Sequence, residues 1–115
     1  MTKKSVRYSV VYNTCFGGFG ISNKAVDWLL ARGSKHVRLY NDPIFGSKGC
    51  WEGTRHDPLL IECVRELGEK ANGRCAELEI FELDGSQYRI DEYDGNENVE
   101  QPTDEQEWVD ASDNK

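Results

Sequence analysis

The chain predicts a small two-layer α/β domain, with α+β as the neighbouring class, and three observations carry that reading. A β-branched and aromatic run breaks into glycines and then a helix start, two apolar stripes recur at helical spacing between clear caps, and an alternating segment closes on Asp-Gly. The expected order is β-α-β-α-β-β, a mixed sheet of about four strands with two helices. It occupies one domain over residues 1–99, followed by an acidic, mobile tail over 100–115.

Residues 6–13 (Val-Arg-Tyr-Ser-Val-Val-Tyr-Asn) are rich in strand formers, and the doubled Val10-Val11 predicts burial on both faces of a central strand. Ser22 then reads as an N-cap. Val26, Leu29 and Leu30 share one face of a helix over 23–32 that Gly33 ends. Residues 36–40 (His-Val-Arg-Leu-Tyr) alternate as a second strand, which makes a right-handed strand-helix-strand crossover and a partly parallel sheet. Residues 41–56 hold Pro43, Gly46, Gly49, Gly53, Phe45 and Trp51, and read as a long loop, either a lid or a surface excursion anchored by Trp51.

Asp57-Pro58 is a strong helix start, since Asp caps and Pro suits the first helical position. Leu60, Cys63, Val64, Leu67 and Ala71 form its buried stripe, and Asn72-Gly73 supplies the stop. Residues 75–83 alternate, Asp84-Gly85 predicts a hairpin turn, and residues 88–93 return antiparallel to them. A second turn, Asp94-Gly95, leads to a brief edge strand at 96–99. Beyond Val99 only Trp108-Val109 is apolar.

Composition bounds the function. The 115 residues carry 37% hydrophobic and 30% charged side chains, as a soluble domain does. No apolar run spans a bilayer and Met-Thr-Lys-Lys opens no signal sequence, so a cytoplasmic protein without a membrane partner is expected. The net charge of −7 is uneven: residues 1–60 hold nine Lys/Arg against four Asp/Glu, and residues 61–115 hold five against seventeen. A cationic half carrying the glycine loop fits an anionic small molecule, whereas the acidic half argues against a nucleic-acid duplex. The cysteines, Cys15, Cys50, Cys63 and Cys75, form no Cys-x-x-Cys pair, so neither zinc nor disulfides are expected, and Cys63 and Cys75 read as small buried apolar residues.

The chemistry concentrates in Asn13, Thr14, Phe16, Gly17, Gly18, Phe19, Gly20 and Ser22, where a strand turns into a helix and backbone donors converge. Neither Gly-x-Gly-x-x-Gly nor Gly-Lys-Ser/Thr is present, which leaves a generic anion nest whose aromatics can stack on a base, or a tight turn with its aromatics in the core. Arg55 and His56 stand at the second helix start, and two converging helix starts would let Arg55 fork onto a phosphate or carboxylate. Cys15 with His56, or His36, as base is the enzymatic alternative, a hydrolase or transferase. Asp91, Glu92, Asp94 and Glu97 crowd one hairpin end without a calcium-loop pattern, and Tyr93 there is a further ligand contact if that end lies near the glycines.

The loop Tyr12-Asn-Thr-Cys-Phe-Gly-Gly-Phe-Gly-Ile-Ser22, the start Arg55-His-Asp-Pro-Leu-Leu60 and the closing Asp91-Glu-Tyr-Asp-Gly-Asn-Glu97 resemble a family of small proteins of tailed bacteriophages and large DNA viruses. The resemblance covers residues 6–99, with Phe16 and Ile21 standing where family members often have Tyr and Leu. It implies expression in the cytoplasm of an infected cell and an accessory, host-modulating role, and it supplies no activity. The expected function is a non-enzymatic binding protein for a phosphate-bearing or nucleotide-like molecule, without cofactor or metal. The third reading is an acidic module that inhibits a host protein, and a homo-oligomer is open.

Overall fold

The computed structural model describes residues 8–83 and 85–101 and the backbone of 109–110. Two helices and short strands in three small sheets make a mixed α/β domain. The strand at the centre, β1 (Ser9–Asn13), pairs antiparallel with β4 (Leu78–Glu82), in register Val11 with Ile80. Val10 and Val11 are both fully buried because β1 divides two apolar clusters. Val11 faces the helices, and Val10 faces Leu83 and Tyr88.

Helix α1 (Asn23–Ala31) starts where Ser22 Oγ accepts from Ala25 N at 3.0 Å. It stops in a glycine motif: Gly33 turns left-handed, its N–H donates to Leu30 O, and Ser34 N donates to Leu29 O. Ala25, Val26, Trp28 and Leu29 are buried, while Leu30, expected in the buried stripe with Val26 and Leu29, faces solvent because the buried face is centred on Ala25 and Leu29. Helix α2 (Pro58–Leu67) is capped by Asp57, whose carboxylate accepts from Leu59 N and Leu60 N. It ends at Gly68, where a 3-10 turn (Gly68–Ala71) carries Ala71 into the core. The expected stop at Asn72-Gly73 therefore falls one turn late.

The expected parallel crossover is not formed. The second strand, β2 (Val37–Leu39), pairs antiparallel with β3 (Gly49–Trp51), a strand inside the stretch read as loop. Local closure of a short hairpin competes successfully with the non-local pairing that a crossover needs. Trp51 anchors it, edge-on to His36, with its indole N–H on Thr54 O at 3.0 Å.

The expected ladder between 75–83 and 88–93 is also replaced. Strand β5 (Gln87–Tyr93) pairs with β6 (Asn96–Glu100) through the Asp94-Gly95 turn, and with β7 (Val109–Asp110) on its other side. Asp94 and Gly95 both take positive φ, 54° and 91°, as a two-residue hairpin turn requires. Trp108 and most of the predicted tail lie outside the described residues. Among the described residues no helix is long and apolar enough to cross a membrane.

Two buried acids give the fold an alkaline limit. Burial pushes the Cys63 thiol from its ordinary 9.0 to about 11, and the Tyr88 phenol from 10.0 to about 12. The folded state thus holds these protons more tightly than the unfolded chain. Their contribution is complete below the unfolded values and is lost as pH climbs through the folded ones. Urea midpoints should be level to about pH 8.5 and then fall, by up to about 1.4 kcal/mol per pH unit for each group. Cys63→Ala should flatten the first part of that limb; an unchanged limb would refute the assignment.

Candidate functional site

The predicted site residues divide into a sealed knot and an open cleft. Asn13, at the end of β1, is fully buried and spends its whole amide on backbone. Its Nδ2 donates to Cys15 O and Gly95 O at 2.6 and 2.7 Å, and its Oδ1 accepts from Glu77 N and Cys15 N. The amide has no capacity left for a ligand.

Arg55 is engaged as well. Its guanidinium forks onto Glu97, with Nη1–Oε1 at 2.6 Å and Nη2–Oε2 at 2.9 Å, and the Glu97 side chain is only 7% exposed. Glu97 Oε1 also accepts from Asn13 N at 2.9 Å, and the guanidinium lies 3.7 Å over the Phe19 ring. The outer edge of β1 is completed by Val11 N donating to Arg55 O. Arg55 therefore clamps the β5–β6 hairpin and the glycine loop onto β1.

Cys15 and His56 share no hydrogen bond. Cys15 Sγ contacts Phe16 O at 3.6 Å, whereas His56 is buried with Nδ1 at 2.7 Å from Tyr88 OH and its ring edge-on to that tyrosine. Thr14 bonds Glu77 O through both N and Oγ1. Phe16 and Tyr93 are exposed. Among the cysteines Cys63 is buried as expected, but Cys75 is exposed, because residues 72–75 line a cleft wall instead of entering the core.

That cleft, of about 480 Å³, contains the other predicted residues, Gly17, Gly18, Phe19, Gly20 and Ser22. Its other walls include Asn23 of α1, Tyr40, Asp42, Phe45 and Ser47 of the β2–β3 loop, and Asn72 to Cys75. Asn23 ties the loop down, donating to Gly46 O and accepting from Lys48 N. Tyr40 OH meets Ser47 Oγ at 3.1 Å, and Asp42 Oδ1 accepts from Ile44 N and Phe45 N. The loop is tethered at several points.

Glycine is required here by close approach. A Cβ on Gly73 would lie 2.6 Å from Gly20 C, and one on Gly17 would lie 2.6 Å from Cys75 O. Backbone therefore packs directly on backbone along this wall.

The cleft lining carries one cationic and one anionic side chain, Arg74 and Asp42. Among the described residues, the N–H groups of Gly17, Gly18, Phe19 and Gly20 donate to no protein acceptor. The first turn of α1 carries no acidic residue to offset its positive end. Among the described residues Arg74 makes no ion pair and stacks 4.0 Å over Phe45, while Lys48 pairs with Asp27 at 2.7 Å on the surface. Asp42 is the opposing charge, and its carboxylate is held by two backbone N–H groups.

Sequence reasoning missed Arg74 and Tyr40 as cleft residues. Asn72-Gly73 was legible as a turn, and an Arg directly after a turn that packs on the glycine loop was the available signal. Asp57, the second helix start, does not line the cleft and lies near His36 instead, at 3.8 Å. Among the described residues no cluster of His, Cys, Asp or Glu is arranged to hold a metal. Comparison with protein-family models, curated proteins and solved structures finds no match.

Proposed function

We propose that this chain is a non-enzymatic binding protein for an anionic small molecule, phosphate-bearing or nucleotide-like, held in the cleft between the glycine loop and Arg74. One observation carries the reading: the glycine loop, whose Phe19 and Gly20 N–H groups meet no protein acceptor among the described residues, lines the same cleft as Arg74, which makes no ion pair among those residues. Peptide N–H groups and a guanidinium are the donors that oxyanions recruit, and Phe19, Tyr40 and Phe45 offer faces for a planar group. A cleft of this size suits a mononucleotide. Arg55 acts at one remove, holding Phe19 and the loop in place rather than touching the ligand. With the resemblance to viral proteins, the role that follows is withdrawal of a host nucleotide signal.

Calorimetry against pyrophosphate, mononucleotides, cyclic nucleotides and ADP-ribose tests this. Arg74→Glu should weaken binding by about tenfold or more. It should leave the melting temperature of the free protein nearly unchanged, since Arg74 has no ion pair to lose. A folded protein that responds to none of these anions, or binds them equally well with Glu at position 74, would end the proposal.

A further inference from the structure

The outer edge of β4 is an unfilled strand position, and we propose that it takes up an extended segment of a partner protein in which apolar and basic residues alternate. In the β1–β4 ladder, Thr14 N donates to Glu77 O and Leu83 N donates to Tyr8 O. Bonded pairs alternate along an antiparallel ladder, so Glu79 and Phe81 also face β1, and Leu78, Ile80 and Glu82 turn their peptide groups outward. Of the equivalent outward groups of β1, the N–H groups of Val11 and Asn13 are covered, by Arg55 O and by Glu97. On β4 only Leu78 N is covered, by Asn72 Oδ1 at 2.8 Å. The N–H and C=O of Ile80 and Glu82 have no partner among the described residues.

A groove of about 660 Å³ runs beside this edge, between it and the end of α2. Its floor is apolar, from Val64, Leu78 and Ile80, and its rim carries Glu69, Glu77 and Glu79. None of those three carboxylates makes an ion pair among the described residues. Leu78 and Ile80 pack toward the helices, and strand alternation sends Glu77 and Glu79 to the opposite face. An added strand would therefore place every second side chain over the apolar floor and the others beside carboxylates. That pattern selects alternating apolar and basic residues. A second copy is disfavoured, because edge-to-edge pairing would set glutamates beside glutamates.

The test is an NMR titration of the full chain with a capped nonapeptide of alternating lysine and valine, alongside the same peptide with alternate amides N-methylated. Saturable binding is expected, with slowed amide exchange at Ile80 and Glu82. N-methylation should weaken it by about tenfold or more, and so should the pair Glu77→Lys with Glu79→Lys. Arg74→Glu should bind the peptide as the unsubstituted chain does, which separates this edge from the cleft. Equal affinity for the N-methylated peptide, unchanged exchange at Ile80 and Glu82 at saturation, or no binding to the folded chain would overturn the proposal. Protection of Ile80 and Glu82 that rises with protein concentration alone would overturn it in favour of self-pairing.

Discussion

Arg55→Ala is expected to lower the unfolding free energy by about 3–5 kcal/mol, the largest effect of any single substitution in the clamp. The Glu97 carboxylate would remain buried with Asn13 N as its one remaining donor among the described residues, and an uncompensated buried charge is far more costly than the pair's own attraction is favourable. The stacking of the guanidinium on Phe19 is lost with it. Arg55→Lys should recover only part, since an ammonium cannot reproduce the two-pronged contact. The double variant Arg55→Met with Glu97→Gln should be markedly more stable than Arg55→Ala, because no charge is stranded and the Gln oxygen still accepts from Asn13 N. Urea midpoints decide the matter: a single-variant loss under about 1 kcal/mol would mean that solvent screens the pair.

Gly95→Ala is expected to cost about 3 kcal/mol, combining a left-handed backbone at φ 91° with overpacking. Its Cβ would sit 2.5 Å from Gly18 N and 2.6 Å from Gly17 N. Backbone atoms cannot swing aside as a side chain can, so the β5–β6 turn or the glycine loop must move. Gly18→Ala is the matched control, with φ 104° and open space around the added methyl, and should cost only about 1 kcal/mol from strain. Displacement of the loop should also weaken anion binding in Gly95→Ala. Equal losses for the two variants would show that the close approach carries no weight.

Both helices, their N-capping residues and the Asp94-Gly95 hairpin were legible in the sequence, because caps, stripes and turn dipeptides are local signals, while the glycine that ends α2, Gly68, was missed. Strand partners were not. Residues 36–40 alternate whichever neighbour they join, so nothing local distinguished a crossover onto β1 from a hairpin with Gly49–Trp51. The same holds for β5, whose actual partners start at Asn96 and Val109. The glycine loop was legible as a special place. The role of Arg55 was not, since a guanidinium at a helix start looks the same in sequence whether it faces an incoming phosphate or a glutamate 42 positions away.

The junction of Gly95 on Gly17 and Gly18 joins stretches far apart in the chain, and it needs both the β1–β4 sheet and the β5–β6 hairpin in place. Contacts of such wide separation carry a large loop-closure cost, so this junction is expected to close late, after the more local helix–helix packing. A methyl placed there should accordingly leave the refolding rate almost untouched and appear as faster unfolding, a kinetic signature that stopped-flow chevrons would separate from damage to the nucleus.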